Sequence, residues 1–198
     1  MVIAMHMIDR LKAELARAMR NFRYERTGSG IFFPAQRIAY GGIFFTSENG
    51  SAFVSNANTV AYEGLDDQLN CYFNNGSPPT LFSIAPFSNN VSPAASLTAA
   101  TFASTQGEYT GYTQATRQQW ISNGASSGQT VSSSNSPATF TIGASAATIT
   151  GAGMIAGASA KGATTGKLIA AALFDSPQSL GANGQIQIYY QLQATPLG

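Results

Sequence analysis

From Gln118 to Ala160 the chain carries no formal charge, and this stretch constrains what can be built from it more than any motif. The same bias runs through all 198 residues: 10 are basic and 9 acidic, or 10% of the chain, against roughly 25% in ordinary soluble domains. Ala, Gly, Ser and Thr together supply 90 positions. So few charges leave little to keep an isolated monomer dispersed, so much of the surface is expected to be covered by neighbours. The long uncharged stretches are full of Ser, Thr, Gly and Asn, which excludes a bilayer-spanning segment. The first ten residues, MVIAMHMIDR, lack a leading basic segment and a cleavage site, so no signal peptide is expected.

The charges are unevenly placed. Residues 1–37 hold seven Arg or Lys against three Asp or Glu, while residues 38–198 hold three basic and six acidic residues. A basic arm on a near-neutral body is the expected organisation. Within residues 7–24, Ile8, Leu11, Leu15, Ala18 and Phe22 recur at alternating spacings of three and four, with Met19 on the same stripe. That period predicts an amphipathic helix, with Arg10, Lys12, Arg17, Arg20 and Arg23 on the other face. Thr27-Gly28-Ser29-Gly30 is its natural stop. A helix this short is marginal in isolation, so the stripe is expected to pack on another chain. Arg17, Arg20 and Arg23 form the basic face; six basic against three acidic residues before Thr27, with no Trp anchor, argue against nucleic acid or a membrane as its partner.

Beyond residue 30 the pattern turns to short apolar runs, Ile31-Phe32-Phe33, Ile43-Phe44-Phe45 and Ala52-Phe53-Val54, punctuated by Gly and Asn. One further helix is predicted over residues 62–73, with Leu65, Leu69, Tyr72 and Phe73 at helical spacing. Residues 80–87 read as a strand stopped near Pro86, 88–107 as loop, and Ser122–Pro137 as a polar connection. Strands are expected over Thr139–Ile142, Lys167–Phe174 and Gln185–Leu192. In the last, Ile186, Ile188, Tyr190 and Leu192 alternate with Gln185, Gln187, Tyr189 and Gln191, so one set should be buried. The fold expected is mainly β: an antiparallel, jelly-roll-like β-sandwich over residues 31–198, an N-terminal helical arm over 1–30, and one short additional helix.

Motifs that resemble chemical sites are weak here. Gly151, Gly153 and Gly157 give G-x-G-x-x-x-G, one residue longer than a dinucleotide fingerprint, and a Gly-rich strand or hairpin is the better reading. Gly162–Lys167 has one residue too few between its glycines for a phosphate loop, and Leu168 stands where a magnesium-binding hydroxyl belongs. Lys167 should instead open a strand. One Cys and one His exclude a disulfide and a Cys/His zinc site. Cys71 reads as a buried, inert thiol, and Asp66 and Asp67 diverge around their helix and would favour its N-terminus. Neither a catalytic constellation nor a cofactor or metal site is expected, so the chain is read as non-enzymatic.

Several stretches in combination resemble a family of tailed-bacteriophage virion proteins of the tail-fibre-like or head-decoration type. They are Asn58–Leu65 leading to Tyr72-Phe73, then Tyr109-Thr110-Gly111-Tyr112 with Arg117 and Trp120, then Ala138–Ile142, and finally Leu180–Tyr190. The resemblance covers roughly residues 56–195, with Arg117 placed later, and Leu81-Phe82 where the family has Trp-Tyr. It implies a virion structural component made in the host cytoplasm: a head-decoration, neck or collar protein in many symmetric copies. Its partners would be capsid, portal or neck proteins and copies of itself. A tail-fibre or adhesin module recognising host-surface glycan is the alternative, with Trp120, Tyr109 and Tyr112 as its loop aromatics.

Overall fold

The computed structural model describes residues 25–27, 30–32, 37–126 and 128–197. The predicted helix over 7–24 lies outside them, as do Ile8, Leu11, Leu15, Ala18, Met19 and Phe22 of its stripe and Arg17, Arg20 and Arg23 of its basic face. Two units are present. One runs to Ala39 and takes in the end of the chain from Thr195. Its β1 (Glu25–Thr27) and β2 (Gly30–Phe32) form an antiparallel hairpin in which Thr27 pairs with Gly30.

The other unit, Tyr40–Ala194, is mainly β, with two antiparallel sheets and two helices. The second sheet contains β3 (Arg37–Glu48), β4 (Val54–Ala57), β8 (Thr130–Ser132) and β12 (Gln185–Leu197), in the order β4-β3-β12-β8. β9 (Ala138–Thr141) also pairs with β12. The first sheet is built from β5 (Thr59–Val60), β6 (Phe82–Phe87), β7 (Gln118–Gln119), β10 (Ala147–Ala156) and β11 (Lys167–Leu180). Its order is β5-β11-β10-β6-β7.

Two clusters of buried side chains sit on opposite faces of the first sheet. Phe44, Phe140, Ile186, Ile188 and Tyr190 from the second sheet meet Ile84, Ala152, Met154, Ala170 and Phe174 from the first in one core. On the other side Phe87, Ile155, Leu168 and Ala171 pack with Phe102 and Ala99. That side is covered by α2 (Ala99–Gln106). β10 is therefore buried on both faces from Ile149 to Ala156, as its Ala- and Gly-rich sequence requires. Gly151 and Gly153 acquire a packing reason. A Cβ on Gly151 would strike the Phe87 ring and the Ala172 carbonyl, and one on Gly153 would come within 2.6 Å of the Phe102 ring. The glycines make room for aromatic rings lying against the strand, and the strand reading of this motif holds.

The helix over 62–73 is present as α1 (Tyr62–Phe73), and all three later strands form. The strand read over 80–87 forms as β6 and stops at Phe87, beside Pro86, which still pairs with Ala152 and accepts the Tyr109 N–H at 2.8 Å through its carbonyl. A proline is tolerated wherever its missing N–H falls outside the ladder. Two expectations need correction. Residues 88–107 are not all loop, because α2 lies within them. Its apolar pattern is weak and its N3 residue is Thr101 in place of the usual Glu or Gln, so the signature of a capped start is absent. The Thr98 N–H nonetheless donates to Thr101 Oγ1 at 3.4 Å, and Gly107 closes the helix with φ of 64°. Within Ser122–Pro137, β8 extends the second sheet through Val131 opposite Leu192.

Candidate functional site

α1 lies with its backbone close to β11. Gly64 permits this, since a Cβ there would sit 2.7 Å from the Ile169 Cα and 2.9 Å from the Leu168 carbonyl. Because the buried contact is made through a glycine, the helix's large apolar residues fall on its outer side. Tyr72 is 86% exposed, Phe73 81%, Tyr62 62% and Leu69 58%. Leu65 is half-buried, whereas Leu69, Tyr72 and Phe73 are exposed. Tyr62, Leu69 and Phe73 recur at spacings of seven and four, on one side of the helix.

Tyr72, but not Tyr62, Leu69 or Phe73, also lines a cleft of about 330 Å³. It lies where the two sheets part, with Phe82, Met154 and Ile169 from the first sheet and Val131 and Leu192 from the second. Trp120, Tyr40 and the Pro78-Pro79 pair complete the apolar wall, and α1 contributes Asp67, Gln68, Cys71 and Tyr72. The indole is held in place: Trp120 Nε1 donates to the Tyr190 carbonyl at 2.9 Å, and its ring meets Phe82 edge-on at 5.9 Å. Gln68 Nε2 donates to the Tyr40 hydroxyl at 2.6 Å, and burial pushes the Tyr40 phenol above its ordinary range. Cys71 is thus half-buried at a cleft wall, with its thiol 3.5 Å from the Ser77 carbonyl, and is not the core thiol expected. Size and lining match what small apolar groups or side chains need for capture.

Two carboxylates missed by the sequence reading organise the surroundings. Glu63 is the acidic residue in the first turn of α1; Asp66 and Asp67 lie beyond that turn and do not take this role. Glu63 Oε2 accepts the N–H of Ala99, the first residue of α2, and the N–H of Leu168 in β11, both at 2.8 Å. Lys167 Nζ lies 3.8 Å from its other oxygen. One side chain therefore ties α1, α2 and β11 together. Glu63→Ala should destabilise the fold by about 1–3 kcal/mol, since two amides lose their acceptor. Glu63→Gln, which keeps an acceptor oxygen, should lose distinctly less, and chemical denaturation of the pair checks this.

The second is Glu108, closed inside the body with Arg117; the two side chains are 1% and 0% exposed. Arg117 Nε donates to Oε1 at 2.9 Å and Nη2 to Oε2 at 2.7 Å, a bidentate fork, while Nη2 also reaches the Ala163 carbonyl at 3.0 Å. Tyr112, 3% exposed, carries Lys161 Nζ 3.9 Å above its ring, and that ammonium donates to the carbonyls of Thr110 and Tyr112. Burial, helped by the Glu108 charge and opposed by Arg117, drives the Tyr112 phenol far above its usual range. Of the Trp120, Tyr109 and Tyr112 group expected in exposed loops, Tyr112 is buried, while Tyr109 and Trp120 are half-buried against the core.

Gly162–Lys167 leads into β11, so Lys167 opens a strand as read. Among the described residues no group of three or more His, Cys, Asp or Glu side chains is placed to hold a metal ion. None of their helices is long and apolar enough to cross a membrane. Compared with known protein families, curated proteins and solved structures, the chain matches none.

Proposed function

We propose that this chain is a non-enzymatic structural component of a phage virion, a head-decoration, neck or collar protein. It assembles in multiple symmetric copies through its N-terminal arm and a jelly-roll-like sandwich body. The observation that carries the reading is the outward apolar stripe of α1 beside an apolar cleft. Large side chains exposed together on a weakly charged surface mark a face meant to be covered. The resemblance over residues 56–195 supplies the particle, and the composition fits a protein that spends its life among neighbours. The glycan-binding alternative has less support, because Tyr112 of its aromatic cluster is buried and Tyr109 and Trp120 are half-buried against the core.

Peptide mass spectrometry of purified particles from the genome encoding this chain tests the reading. The chain should be present in a fixed ratio to the major capsid protein; its absence from such particles would overturn the proposal. Replacing Leu15 and Phe22 together with Asp should abolish incorporation while the β-body still folds, since burying such side chains is worth roughly 1.5–3 kcal/mol each.

A further inference from the structure

We infer that the α1 stripe and the adjoining cleft are the seat of the basic segment 7–24 from a second copy of this chain. This rests on the assembly reading above and names the surface that reading requires.

Three observations select this occupant. First, the surface is apolar along a helix: Leu69, Tyr72 and Phe73 stand exposed, and the cleft beside them is walled by Trp120, Phe82 and Met154. Segment 7–24 offers a matching row in Leu11, Leu15, Met19 and Phe22. Second, the charges are opposite. α1 carries Glu63, Asp66 and Asp67 and no basic residue, leaving its C-terminal turn without a cation to balance the helix dipole. Among the described residues neither Asp66 nor Asp67 forms an ion pair. Seven of the ten Arg and Lys residues lie in positions 1–37, and Arg10, Lys12, Arg17, Arg20 and Arg23 fall within the segment. Third, the lengths are comparable: the twelve residues of α1 extend about 18 Å, and the fifteen from Ile8 to Phe22 would extend about 23 Å at helical rise. Since segment and seat are different surfaces, each copy can give to one neighbour and receive from another. Where the rotation between copies closes, such head-to-tail contacts form rings, the symmetry expected of a collar or a decoration ring.

The chain holds a single Cys, Cys71, in the wall of the cleft, so the full-length protein can report the contact by disulfide trapping. Leu11→Cys, Leu15→Cys and Phe22→Cys are made singly, so that the result does not depend on one register, and each is oxidised with copper phenanthroline. In at least one variant we expect covalent ladders longer than dimers on non-reducing gels, in which peptide mass spectrometry finds the new cysteine joined to Cys71; ladders joined only through like pairs of cysteines would overturn the inference. Adding Cys71→Ser should cut those ladders back to dimers at most. Asp66→Asn with Asp67→Asn should reduce ladder formation several-fold at low salt and have little effect at 1 M salt, where charges are screened. Dimers alone in all three variants, or a disulfide closed within one chain, would overturn the inference. The emission of Trp120, the one Trp, confirms that each variant keeps its folded body. Failure here is distinguishable from failure of the proposed function. Particles that contain the chain but give no ladders refute the seat alone, and ladders from a chain absent from particles refute the virion reading alone.

Discussion

Glu108→Gln should destabilise the protein by about 3–5 kcal/mol in chemical unfolding, the largest single effect expected in the body. The reason lies in the asymmetry of a buried ion pair. With both partners present, the Arg117 fork satisfies both carboxylate oxygens at 2.7 and 2.9 Å, and the Ala163 carbonyl takes a further N–H. Removing the negative charge leaves a guanidinium closed away from water, where its desolvation is no longer offset. Replacing both residues by apolar ones of similar size, Glu108→Leu with Arg117→Met, should therefore cost less than Glu108→Gln alone. If the single and double variants prove equally unstable, the pair is not what holds this region. The segment from Glu108 to Trp120 has little regular structure apart from β7, so this pair and the Arg117 N–H bond to the Ser159 carbonyl do much to define its path.

Ile188→Ala should cost about 2–5 kcal/mol, the range for truncating a large core side chain, whereas Gln187→Ala should cost under about 0.5 kcal/mol. Ile186, Ile188 and Tyr190 have no exposed surface and face the first sheet, while Gln187 reaches only the Thr139 hydroxyl at 3.4 Å on the other face. Ile188 is packed where both sheets contribute side chains. Unfolding both variants in denaturant measures the contrast, and a costlier Gln187 would mean that the register of β12 is reversed.

Strong periodicity was legible without coordinates. The alternation in Gln185–Leu192 marked a half-buried strand and told its faces apart, since successive side chains on a strand must point opposite ways. The helical spacing of Leu65, Leu69, Tyr72 and Phe73 placed α1 at residues 62–73. α2 was not legible, because AATFASTQ has almost no apolar asymmetry and its first-turn acid comes from Glu63, far away in sequence. Nor could Glu108 and Arg117 be recognised as a pair. Nine residues apart in an irregular segment, they meet only because the chain between them turns back.

The candidate site divides along the same line. Leu69, Tyr72 and Phe73 at helical spacing announced an apolar stripe, but spacing relates side chains only to one another and not to the rest of the molecule. Which way the stripe faces was decided by a glycine. Gly64 lets the α1 backbone approach β11 to a distance at which a methyl group would collide, and that contact turns the larger side chains outward. The cleft is likewise a property of assembled sheets: Tyr40, Phe82, Trp120, Val131, Met154 and Leu192 are scattered along most of the body and share a wall only after both sheets form. Local pattern and composition thus determined most element types of the body and the uneven placement of charge along the chain. Burial direction, ion pairing and the shape of the exposed surface depend on distances between residues remote in the chain, and only the tertiary structure decided them.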